Sequence, residues 1–126
     1  MTVAYVDTSC LVAVAFRERG STALLRRIEL FDDLLASNLL EAELRAAYHR
    51  EGIVGEPELL RAISWILPER PLSAEIATVL QAGYLRGADC WHLATALYVA
   101  ANPGDLVFLT LDERQRATAE SLGFLT

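Results

Sequence analysis

The 126-residue chain contains no lysine; all 11 of its basic residues are arginine. It also lacks G-x-x-x-x-G-K-[ST] and G-x-G-x-x-G, the glycine-rich loops that cradle phosphates, which disfavours the common nucleotide-binding folds. Cysteine is scarce: Cys10 and Cys90 each sit among apolar neighbours, where a free thiol behaves as a small hydrophobe. Free thiols suit a reducing compartment better than a disulfide does, and a zinc site would need further soft ligands at close spacing. No apolar run is long enough to span a membrane. The N-terminus has no basic segment followed by a small-residue cleavage site, so the expected location is the cytoplasm. Positive charge is short as well. The net charge is −6, whereas a general nucleic-acid binder should present a basic surface.

What is present is apolar and ordered. With 53% hydrophobic and 22% charged residues, the composition is that of a globular chain, and the length suits one domain over residues 1–126. Residues 2–6 and 34–37 read as short buried strands and 106–110 as the best strand, while two prolines leave 65–73 at most a short strand with a loop. Helices are expected over 9–18, 22–31, 38–50, 57–65, 73–86, 89–101 and 112–123, with a short terminal strand at Phe124–Leu125. Alternating strands and helices with all-apolar strands imply a parallel sheet covered on both faces.

In such folds the functional crevice lies at the carboxyl ends of the strands. Asp7 ends the first strand and Asp112 follows the last. Asp89 opens an apolar helix, and Glu43 shares a helix face with Leu39, Leu40, Leu44 and Ala47. Each aspartate precedes a helix and could simply cap it. Glu43 resists that account, because a glutamate on an apolar stripe costs free energy unless it is paired, for instance with a buried arginine. Clustered carboxylates repel one another, and a hard divalent cation such as Mg²⁺ or Mn²⁺ removes the repulsion. Such an ion also acidifies bound water and orients it for attack on phosphorus.

Four stretches occur in order: "VDTSCLVA", "ASNLLEAELRAA", "LRGADCWHLATAL" and "FLTLDERQRATAESLGF". Together they closely resemble the signatures of the PIN-domain family, in particular its VapC-type toxins, from Val6 to Phe124. The resemblance implies a three-layer α/β/α sandwich with a short parallel sheet. It implies a Mg²⁺- or Mn²⁺-dependent ribonuclease with an RNA substrate and a cognate antitoxin. By the same resemblance Asp7, Glu43, Asp89 and Asp112 are the catalytic and metal-holding carboxylates; of these, Asp7 and Asp89 are the pair expected as direct ligands, with Glu43 and Asp112 acting through water. Thr8, Ser9 and Thr110 match the supporting hydroxyls. Cys90 and Trp91 depart from the smaller or aliphatic residues common at those positions.

RNA contacts must come from few cations, and Arg86, three residues before Asp89, is the candidate. A surface arginine pairing with a carboxylate is its plainer reading. His92 lies one turn after Asp89 and reads as a satisfied core residue rather than a general base. His49 reads as solvated. Leu11, Val12, Val14 and Phe16 of the first helix, with Leu24, Leu25, Ile28 and Phe31 of the second, exceed what a thin layer is expected to cover. Leftover apolar surface of that kind marks partners, here a second copy in a homodimer and the antitoxin.

Two other function classes compete. A receiver-like acidic Mg²⁺-binding domain would need a lysine. An Asp-x-Asp phosphatase fails because Ser9 stands two residues after Asp7. A non-catalytic PIN-fold interaction module is disfavoured by the intact acidic set, and metal-dependent RNA cleavage by the purified protein discriminates it.

Overall fold

The computed structural model describes residues 2–126. Four strands, β1 (Val3–Val6), β2 (Asp33–Ser37), β3 (Ile63–Ile66) and β4 (Val107–Leu109), form an all-parallel sheet in the order β3-β2-β1-β4. Helices α1 (Thr8–Ala15), α2 (Ser21–Glu29), α3 (Asn38–Arg50), α4 (Ser73–Ala82), α5 (Gly87–Val99) and α6 (Glu113–Ser121) cover it.

Strand alternation divides the apolar residues between two faces. Ala4, Val6, Leu34, Ala36 and Leu109 pack with Cys10, Leu11, Ile28, Leu40 and Leu44 of α1–α3. Tyr5 and Phe108 point the other way, into Val79, Cys90, Leu93 and Ala119 of α4–α6. The result is the expected three-layer α/β/α sandwich.

Strand order decides where a site can form. After β1 the chain adds β2 and β3 on one side, then returns to place β4 on the other. The reversal opens a crevice at the carboxyl ends of β1 and β4, the usual switch point of such sheets. Asp7 N–H donates to Leu109 O at 2.8 Å and closes the two strand ends together.

Several expected elements differ. The helix expected over 57–65 is a 3₁₀ turn, Glu58–Ala62, followed by β3. Four residues alternating in β3 are too few to signal a strand locally; its stability comes from pairing along β2, with Ala36 opposite Trp65. Helix α1 ends at Ala15 rather than Glu18, because Arg17 turns left-handed at φ 53°. Helix α5 starts at Gly87, so Asp89 lies within its first turn and is not its cap. Ser37 caps α3, accepting from Leu39 N–H at 3.1 Å. The terminal strand is a single parallel bridge, with Phe108 N–H donating to Leu125 O at 2.7 Å.

The first two helices also bury more than expected. Leu11 and Ile28 are in the core, and Val12, Val14, Leu24 and Phe31 pack half-buried against it. Phe16 lies against Tyr48, ring centres 5.7 Å apart. A groove of about 280 Å³ remains, lined by Leu11, Leu25, Ile28, Phe31, Leu34 and Leu59 among others. No helix among the described residues is long and apolar enough to cross a membrane.

Both cysteines are free and buried. Burial, reinforced by the charge of Asp7, pushes the Cys10 thiol up to about 12, and burial raises Cys90 as well. The thiolate is the reactive form. Mass spectrometry should therefore find both cysteines unmodified after brief maleimide treatment of the native protein, and both labelled once it is unfolded.

Candidate functional site

At the end of β1, Asp7 is 4% exposed. Its Oδ2 accepts from Ser9 N–H at 3.1 Å and caps α1. Its Oδ1 accepts from Gln115 Nε2 at 3.3 Å. Capping and site-building are therefore compatible, since a carboxylate has two oxygens to share.

Gln115, fully buried on α6, ties the crevice together. Its Oε1 accepts from Thr110 Oγ1 at 2.6 Å, so its amide nitrogen is the donor to Asp7 and also to Asp89 O at 3.2 Å. Its backbone N–H donates to Asp112 Oδ1 at 2.8 Å, capping α6. Thr110 accepts from Asp112 N–H at 3.1 Å. Ser9 Oγ accepts from Leu111 N–H at 3.1 Å and fixes the same loop to α1. Thus Ser9 and Thr110 hold the strand-end loops around Asp7, Asp89 and Asp112.

Glu43 reaches the same sheet edge from α3, on the opposite layer. Thr8 Oγ1 donates to its Oε1 at 2.7 Å, and His92 Nε2 lies 2.8 Å from that oxygen. Burial works to raise the Glu43 pKa, but hydrogen bonds from His92 and Thr8 outweigh it and hold the carboxyl below its ordinary value. The partner is a histidine, not the arginine considered from sequence.

His92 is buried and satisfied, as expected, yet it belongs to the site. Tyr5 hydroxyl accepts from Ser37 N–H at 3.0 Å and lies 2.9 Å from His92 Nδ1. The Glu43 carboxylate, an acceptor when ionised, takes the hydrogen on His92 Nε2. Burial pushes the Tyr5 phenol well above its ordinary value, so the hydroxyl keeps its proton.

Asp89 is half-buried, and its carboxylate has no hydrogen-bond partner among the described residues. Burial, then the negative charges of Asp7 and Asp112, raise its pKa. A cavity of about 370 Å³ opens here, lined by Tyr84, Leu85, Arg86, Asp89, Asp112 and Arg114. Two of the four carboxylates line it; Asp7 and Glu43 flank His92, whose Nε2 lies 3.9 Å from Asp7 Oδ1 and 2.8 Å from Glu43 Oε1. Among the described residues, no three acidic, histidine or cysteine side chains stand close enough to form a ready-made cage. The donor chemistry nonetheless fits Mg²⁺ or Mn²⁺. The donors are hard oxygens, and Asp89 carries the repulsion that a divalent cation relieves.

Sequence reasoning missed Gln115, Tyr5, Tyr84 and Arg114. Only Gln115 left a local signal, since Asp112-x-x-Gln115 has capping-box spacing. Its amide turns inward to Asp7 instead of back to the Asp112 N–H, which Thr110 already satisfies.

The family profile described as PIN domain matches residues 4–121. Ribonuclease VapC46 of Mycobacterium tuberculosis (strain ATCC 25618 / H37Rv) is 32% identical over 127 residues, covering 98% of this chain and 95% of that protein.

Proposed function

The chain belongs to the PIN-domain family, in its VapC type, and from that premise we propose that it is a metal-dependent ribonuclease. We read residues 1–126 as one domain. The observation that carries this reading is Gln115, which touches Asp7, Asp89 and Asp112 at once where the sheet order reverses.

Asp7 and Asp89 would hold a Mg²⁺ or Mn²⁺ ion directly, with Asp112 and Glu43 contributing through water. When bound, the ion supplies charge neutralisation and an acidified water for attack on a phosphodiester. Gln115 fixes the rotamer of Asp7 by donating to Oδ1. Thr8 and His92 hold Glu43 ionised and oriented. Arg86 lines the cavity and would offer a guanidinium to a substrate phosphate. His92 is enclosed by Tyr5 and Glu43, which fits an orienting role better than proton exchange with a substrate.

Cleavage of RNA by the purified protein should vanish in excess chelator and return with added Mg²⁺ or Mn²⁺. Cleavage indifferent to chelation would refute the metal-dependent reading.

The VapC type supports a toxin role in the cytoplasm with an antitoxin partner, and we place the antitoxin's apolar contact in the groove between α1, α2 and Leu59. A homodimer is the expected free form. Sedimentation showing only monomer at micromolar concentration counts against it.

A further inference from the structure

Between α4 and α5 runs the extended segment Gly83-Tyr84-Leu85-Arg86. Extended backbone sends alternate side chains to opposite sides. Leu85 is 4% exposed and anchors the segment in the core, so Tyr84 and Arg86 face outward together. Tyr84 is 71% exposed, an aromatic ring left in solvent beside the carboxylates. The segment is pressed onto α6 at Gly83, where a Cβ would meet Thr118 Oγ1 at 2.7 Å. That close approach brings Tyr84 beside Arg114.

Tyr84 and Arg114 line the cavity that holds Asp89 and Asp112, and both also line a second recess of about 280 Å³ along α6. The two recesses share Tyr84 and Arg114 as a common wall. Arg86 and Arg114, like five other arginines, pair with no carboxylate among the described residues, whereas Arg45, Arg50, Arg70 and Arg116 do; of the unpaired set these two line the cavity with Asp89 and Asp112. An exposed ring between two unpaired guanidiniums matches a base followed by its flanking phosphates.

Building on the ribonuclease reading, we propose that Tyr84 is a stacking platform for one unpaired base of a single-stranded RNA, with Arg86 and Arg114 contacting the phosphates on either side. A base in an A-form helix has both faces covered, so the platform selects loops and single strands over duplex. Tyr84 would thereby fix the register of the strand across the site without selecting the base.

Steady-state cleavage of a short single-stranded oligoribonucleotide by the full chain, with Mg²⁺ or Mn²⁺ present, tests this. Tyr84→Ala should raise KM about tenfold, the scale of one lost base stack, and Tyr84→Trp should restore it. Arg114→Gln should raise KM and flatten its dependence on salt. A scan of abasic substitutions should find one position where removing the base raises the wild-type KM but leaves that of Tyr84→Ala unmoved. An unchanged KM in Tyr84→Ala overturns the platform and leaves the ribonuclease reading standing. Should the wild type not cleave, fluorescence anisotropy with the same oligonucleotide decides. Binding that weakens in Tyr84→Ala retains the platform without the chemistry; absence of binding overturns both.

Discussion

Asp7→Asn is expected to lower kcat/KM for RNA cleavage by more than about 100-fold, beyond the 10–100-fold typical of losing an outer partner of a metal site. The substitution is close to isosteric and removes one negative charge. An asparagine oxygen can still accept from Ser9 N–H, and Asn caps a helix about as well as Asp. Its amide nitrogen, however, would face the Gln115 Nε2 that donates to Oδ1, so a folding cost of about 1–3 kcal/mol is expected, and a divalent ion loses a charged oxygen donor. Paired measurements of cleavage rate and thermal unfolding separate the two effects. Full activity in Asp7→Asn, with wild-type contamination excluded, would show that Asp7 is only a cap and that the chemistry lies elsewhere. Comparable losses of activity and of folding would reduce Asp7 to a structural role.

Tyr5→Phe is expected to destabilise the fold by about 1–3 kcal/mol, the penalty for stranding a buried polar group. One oxygen serves both Ser37 N–H and His92 Nδ1, at 3.0 and 2.9 Å. Phenylalanine keeps the ring stacked on Phe108, with centres 5.4 Å apart and planes 5° from parallel. The change thus isolates the hydroxyl. For a domain of this size the melting temperature should fall by roughly 4–12 °C. Cleavage should weaken too, because His92 then loses the bond that fixes its ring against Glu43. Urea unfolding that gives an unchanged free energy would mean that the hydroxyl supports neither the strand end nor the histidine.

The acidic positions show how function and structure share residues. Asp7 and Asp112 each use one oxygen as a helix cap. Capping, one of the two readings open from sequence, therefore leaves the second oxygen of each available to the proposed site. Asp89 was different: its helix begins at Gly87, and its carboxylate is left without a hydrogen-bond partner, half-buried beside two other charges. Glu43 on an apolar stripe signalled a buried partner correctly, but the partner's identity depended on where α5 crosses the sheet edge.

By itself the sequence determined the layered α/β class, the parallel sheet, the ends of β1 and β4 as the place for acidic residues, and the family. These follow from local periodicity and short motifs, which are written in neighbouring residues. Only the tertiary structure decided that β3 is a strand, that Gln115 joins three aspartates, that Tyr5 and His92 fix Glu43, and that Tyr84 stands beside Arg114. Each of these depends on contacts between elements far apart in the chain. Tyr5 and His92 are separated by 87 positions and Asp7 and Gln115 by 108. A side chain's own neighbours carry no information about such a partner; the packing angle of a helix on the sheet does.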